Sequence, residues 1–342
     1  MKTTTLFSLS TLCSALLLSA CGGGGGSSPV VTAPAPSCAN GATDYPTCTP
    51  AVTPAHLQTS VAAPVYSDGE LVLAFNALNR FRAGLGLGLW GQSAALDKAA
   101  ANHLSYMVTN VVYGHREDAG KAGFTGVDPA SRAAFAGYAG GYVVEELAGA
   151  TGGGQGNIDA LVNSVYHRAG LMDQAVAEVG LARASVVVPS ISGQPLFTMD
   201  FGYVSGNAQN NASDFITVYP SDGQTDVMLF MAPETPSPAP EVSGNGFATQ
   251  TSYPVSVTVA NGKTLSVNSF TITEAGQTTP FPVRLLTRDT DPNKLLAGVN
   301  AYLVGKQPFK ANTTYNVAFS GSVDGKALVR NWSFMTGTRT PF

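Results

Sequence analysis

The chain of 342 residues sets 18 lysines and arginines against 22 aspartates and glutamates, a formal net charge of −4, and 44% of it is hydrophobic. No basic block occurs, which excludes the electrostatic footprint of a nucleic-acid-binding protein, and the apolar content is that of a folded chain. Four cysteines and four histidines are few enough to weigh one at a time.

Residues 1–20 combine Lys2, the apolar run "LCSALLLS" and a small-residue end. That pattern reads as a secretory signal peptide, too short to span a bilayer. The stretch "LLLSAC" resembles a bacterial lipobox, which implies cleavage before Cys21 and acylation of that cysteine. Acyl chains bury methylenes at about 0.8 kcal/mol each, so two or more anchor a protein stably to a membrane without crossing it. No acidic residue follows Cys21 directly, which resembles lipoproteins sent to the outer membrane of the cell envelope. Residues 21–65, beginning "GGGGGSSPVVTAPAPS", read as a tether. Cys13 leaves with the signal, and in an oxidising envelope Cys38 and Cys48 are expected to close a local disulfide. His56 lies in the tether and is expected to be solvated.

Residues 66–206 have helical period first. "SDGE" reads as a capping box in which Ser67 and Glu70 satisfy each other's amides, followed by Leu71, Ala74, Phe75, Leu78 and Phe81 on one face. Glycines 84 and 86 end that helix. A second begins at Ser93, with Leu96, Ala99, Ala100, His103, Leu104 and Met107 along one side. In "DPASRAAF" a proline follows an aspartate cap at the start of a third, and a fourth runs from Asn157 to about Tyr166. The strands "AEVGLARA" and "PLFTMDFGY" follow, which together make an α+β arrangement.

Residues 214–342 have period two. Val255, Val257 and Val259 alternate up to an Asn261-Gly262 turn, and Tyr315, Val317 and Phe319 alternate up to Asp324-Gly325. Short strands with turn signals point to a β-sandwich. "VYPSDGQTDV", "ANTTYNVAFSGSVDGKA" and "NWSFMTG" resemble bacterial Ig-like domains, for which the expected work is that of a spacer or adhesive.

In the helical part, "LNRFRAGLGLGLW", "LDKAAANHLSYM", "YGH", "AFAGY", "EELAG", "NSVYHRAGLMD" and "AEVGLA" stand in an order that resembles the CAP superfamily of cysteine-rich secretory proteins, antigen 5 and pathogenesis-related proteins, in its bacterial secreted branch. The resemblance implies an α-β-α sandwich around a central antiparallel sheet. It also implies a cleft of two histidines and two acids that takes a divalent metal such as zinc in some members. The histidines fall on His115 and His167 and the first acid on Glu145, so these three residues are the expected metal ligands and the candidate catalytic groups. The second acid position holds Ser164. A cleft with one carboxylate fewer holds a metal less firmly, and Glu146, Glu117 and Asp118 are the acids at hand to replace it. His103 shares a helix face with Leu96, Ala100 and Met107 and reads as a satisfied core histidine.

Three functions follow from these residues. The leading one is a lipid-anchored binding or interaction module, partnered by the membrane and by a lipid, glycan or protein ligand, with the glycine-rich stretch 148–157 as a permissive connection or a mobile ligand entry. The second is a metal-assisted hydrolase of envelope peptide or glycan, in which Ser164 is a nucleophile only by position and none of the GxSxG, HExxH and CxxC patterns is present. The third is a structural spacer.

Overall fold

Between Asp68 and Tyr203 the chain alternates helix and strand around one small sheet. The elements are α1 (Gly69–Gly84), β1 (Gly91–Gln92), α2 (Ala94–Asn110), α3 (Pro129–Ala136), β2 (Tyr142–Ala148), α4 (Gly153–Val162), α5 (Tyr166–Leu171), β3 (Glu178–Val187) and β4 (Pro195–Tyr203). The computed structural model describes residues 52–149, 152–187 and 193–341. The signal peptide, Cys21, Cys38 and Cys48 lie outside these residues.

The strand order is β1-β3-β4-β2, with β1 parallel to β3 and the other pairs antiparallel. Side chains along a strand alternate between the two faces of its sheet, and β4 follows this rule closely. Phe197, Met199 and Phe201 pack with Phe75, Leu78, Ile158 and Leu161 of α1 and α4. Leu196 packs instead with Ala100, Leu104 and Met107 of α2. Helices therefore cover both faces, and the result is the α-β-α arrangement expected of the CAP resemblance. β2 is an edge strand, and this fixes where the site lies.

Local differences from the sequence reading have physical reasons. The α1 cap is Asp68, whose carboxylate accepts from Glu70 N, rather than Ser67. The Glu70 side chain is spent elsewhere, accepting from Gly154 N at the start of α4. That long-range bond holds a glycine-rich turn in helical form, so α4 begins within the stretch expected to be loop and ends at Val162, with α5 as a separate helix. The third helix carries the expected Asp128 cap and Pro129, reinforced by a reciprocal bond with Ser131.

The second half contains β5 (Ile216–Tyr219), β6 (Gln224–Val227), β7 (Val255–Val259), β8 (Leu265–Glu274), β9 (Val283–Thr287), β10 (Asn300–Gly305), β11 (Thr314–Val323) and β12 (Lys326–Thr336). They form two sheets, β5-β7-β10-β9 and β6-β12-β11-β8. Val255, Val257 and Val259 face Ile272, Val317, Phe319 and Phe334 across a shared core. At the β11-β12 hairpin Asp324 and Gly325 both take positive φ, 48° and 81°, as its two-residue turn requires.

The first sheet is buried on its outer face too. Ser256 and Thr258, which alternation alone assigns to solvent, are buried along with the valines between them. The reason is that Tyr302, Val304 and Leu286 on that face pack with Val165, Tyr166 and Ala169 at α5. Both halves belong to a single unit, Val52–Phe342. The sandwich packs against the helical half through these contacts.

Candidate functional site

The site grows from two consecutive residues of the edge strand. Glu145 and Glu146 point to opposite faces of β2, and each meets one histidine that approaches from its own side. His115 Nδ1 donates to Glu145 Oε1 at 2.9 Å. His167 Nε2 lies 3.5 Å from Glu146 Oε2. Gly170 lets α5 come this close, because a Cβ there would meet Glu146 Oε1.

Glu145 is embedded in charge. Arg132, wholly buried on α3, donates to its Oε2 at 2.6 Å and to the carbonyl of His115 at 2.9 Å. Burial pushes the Glu145 carboxyl up, but the bond from His115 and the charges of His103 and Arg132 outweigh it and hold the group below its ordinary range. Asp200 stands opposite Glu145 in the β2-β4 register, buried, with no hydrogen-bond donor at either oxygen. Burial first, and then the charge of Glu145, push Asp200 well above the usual carboxylate range.

His103 is fully buried and satisfied on both nitrogens, by Glu117 Oε1 and the Gly114 carbonyl at 2.9 Å each. Glu117 in turn accepts from Thr125 N at 2.7 Å, so this pair braces the loop that carries His115. Of the acids considered as substitutes in the cleft, Glu117 is thus occupied behind it. Asp118 is exposed and paired with Lys121, and only Glu146 reaches a cleft histidine. His56 is exposed and joins Asn210 through its backbone.

His167 has a second carboxylate neighbour that sequence reading missed. Glu234 Oε2 lies 3.2 Å from His167 Nδ1. The same carboxylate accepts from the backbone of Val165 at 2.6 Å and Tyr166 at 2.9 Å. Burial alone depresses His167, but the charge of Glu146 and the hydrogen bond to Glu234 outweigh it and push the imidazole up to about 9. Burial pushes Glu146 up to about 7 against the pull of His167. Glu234 sits in "APETPSPAP", which reads as a linker, and no spacing ties it to a histidine. Arg132 and Asp200 were equally silent, one in a helix pattern and one in a strand pattern.

Both imidazoles open into one cavity of about 560 Å³, also lined by Tyr113, Leu147, Leu161 and Ala232. The side chain of His115 is 47% exposed and that of His167 18%. Of the expected trio, His115 pairs with Glu145, whereas His167 lies against Glu146 and Glu234. Both oxygens of Glu145 are taken, one by His115 and one by Arg132. Among the described residues no group of three His, Cys, Asp or Glu is arranged to hold a metal ion. Ser164 is no better placed as a nucleophile. It is buried, with its Oγ 2.9 Å from the Leu161 carbonyl and 2.8 Å from His167 Nδ1.

Comparison with known proteins bears on the helical half. Residues 75–186 match the model of the CAP, or cysteine-rich secretory protein, family. Among solved structures, an outer surface protein from Borrelia burgdorferi is similar at 17% identity and a TM-score of 0.35, over 41% of this chain and 97% of that one. An extracellular protein containing a SCP domain from Bacillus anthracis str. Ames is similar at 18% identity and a TM-score of 0.33, over 41% of this chain and 45% of that one. No curated protein matches the chain.

A zinc titration checks the ligand assignment. A site saturated at 100 times its Kd gains about 2.7 kcal/mol, which at about 2–4 °C per kcal/mol is several degrees of melting temperature. Excess zinc at pH 7 is expected to shift the wild type no more than it shifts His115→Ala or His167→Ala. A rise of several degrees that vanishes in both variants would show that the imidazoles gather a metal after all.

Proposed function

From the CAP-family segment at residues 75–186 and the cleft beside it, we infer that this is a lipid-anchored cell-envelope binding protein, which takes a small amphipathic organic ligand between its helical half and its sandwich. The observation that carries the reading is the make-up of the cavity. Leu147, Ala148, Ala160 and Leu161 on one side and Ala232 and Pro233 on the other supply apolar wall, while polar groups concentrate at His115, His167 and Glu234. Apolar surface with a few placed polar groups is the usual composition of a small-molecule site.

The hydrolytic alternative has less behind it. Catalysis by covalent attack needs a nucleophile that substrate can reach, and Ser164 is buried, its Oγ shared between the Leu161 carbonyl and His167 Nδ1. A metal-activated water needs open coordination positions held by free donors, and Glu145 has none to offer.

The anchor rests on the "LLLSAC" resemblance, and the envelope location follows from it. No helix among the described residues is long and apolar enough to cross a membrane; in this reading attachment is through Cys21 and its acyl chains. Fatty-acid labelling of the expressed protein is expected and should disappear in Cys21→Ala; label retained in that variant would refute the assignment.

Blocking the cavity tests the binding reading. The environment-sensitive dye 8-anilinonaphthalene-1-sulfonate is expected to bind the folded wild type at one site, and Ala232→Trp should weaken it about tenfold or more, a cost of roughly 1.4 kcal/mol. Equal binding by both, with the variant melting as the wild type does, would contradict the site. Turnover of peptide or peptidoglycan by the purified protein that collapses in His115→Ala would move the assignment to the hydrolase.

A further inference from the structure

We propose that Glu234, carried by the segment leading into the sandwich, is the positioning carboxylate of the cleft's second imidazole, so that the ligand site is assembled from both halves of the chain. This deepens the binding reading and rests on it for the purpose of the site; the hydrogen-bond assignment itself stands independently.

The assignment follows from counting protons at one ring nitrogen. Ser164 has a single hydroxyl proton, and it goes to the Leu161 carbonyl at 2.9 Å. At His167 Nδ1, 2.8 Å away, the serine oxygen can therefore only accept. Glu234 Oε2, 3.2 Å from the same nitrogen, is an acceptor as well. Two acceptors at one ring nitrogen require Nδ1 to carry the proton, and the ring is fixed with Nε2 turned toward Glu146. His115 is held in the same sense, with Nδ1 donating to Glu145. The cleft thus contains two carboxylate-imidazole pairs of like orientation. One carboxylate comes from the edge strand, the other from across the boundary between the halves.

Glu234 is itself immobilised. Its side chain is 1% exposed, and the amides of Val165 and Tyr166 occupy its two oxygens separately. The neighbouring Ala232 donates its backbone N–H to the Asn163 carbonyl at 2.9 Å. A serine alone is a weaker partner than an ionised acceptor, since charge-assisted hydrogen bonds are roughly twice as strong as neutral ones. Without Glu234 the ring would keep only Ser164 at Nδ1.

The experiment is proton NMR on the full chain labelled with 15N-histidine. The wild type is expected to show an exchange-protected, downfield ring Nδ1–H resonance that is assigned to His167 by its absence in His167→Gln. Glu234→Ala should lose that resonance. Glu234→Gln keeps one neutral acceptor oxygen, enough for one of the two backbone amides, so it should fold with a lowered melting temperature and with the resonance moved upfield or broadened. If the alanine variant does not fold, the glutamine variant decides. A resonance unchanged in Glu234→Gln would overturn the proposal, as would a lower melting temperature with the His167 signal intact, because Glu234 would then only cap the chain at residues 165 and 166. Failure of dye binding to respond to Ala232→Trp bears on the purpose of the cleft and leaves this result untouched.

Discussion

The structure depends on one buried guanidinium. Arg168 is fully buried, without a carboxylate partner among its bonds. Its Nε donates to the Val162 carbonyl within its own half and its Nη1 to the Pro254 carbonyl of the sandwich, each at 2.6 Å. Tyr219 and Tyr253 stand with ring centres 4.8 Å from it, and Tyr302 at 5.9 Å. Burying a charge is costly unless its donors are met, and here the aromatic faces and carbonyls that offset the cost come largely from the other half of the chain. Cation-π contacts contribute about 2 kcal/mol when desolvated. Its contacts run to both halves, so Arg168 ties them together, with Nη2 left without a hydrogen-bond partner.

The cleft follows from that constraint. Residues 165–168 form a continuous contact with the sandwich side: Val165 and His167 at Glu234, Tyr166 at Asp291, Arg168 at the tyrosines. The edge position of β2 supplies the other wall. An edge strand exposes both of its faces at one margin, so consecutive residues can serve two histidines that approach from opposite sides. Glu145 with His115 and Glu146 with His167 are the outcome. Had β2 been central, neighbouring strands would have stood between these side chains and the cavity.

The legible parts of the sequence were those with local causes. The Asp128 cap with Pro129, the Asp324-Gly325 turn and the alternating valines of β7 each answer to chemistry within a few residues, and each appears in the structure. The parts that were not legible have distant causes. α4 starts early because Glu70, far back in the chain, accepts from Gly154, and the outer face of β7 is buried because α5 covers it. The candidate site divides in the same way. His115, Glu145 and His167 were found by the order of their motifs, and His103 as a core residue by its helix face. Arg132, which takes one oxygen of Glu145, has no mark in "SRAAF" to distinguish it from a surface arginine. Glu234 lies beside prolines in a stretch without period. The missing acid at Ser164 posed the question that Glu234 bears on, but only folding brings the two together.

The most direct measurement is calorimetric unfolding of the full chain against Arg168→Met, which keeps most of the side-chain length and removes the charge and its donors. If the guanidinium fixes the halves together, the wild type melts in one cooperative transition. The variant then loses roughly 3 kcal/mol or more, from cation-π contacts and charged hydrogen bonds, and separates into two transitions. Two transitions already present in the wild type, or a variant that melts as the wild type does, would contradict a cleft built jointly by both halves.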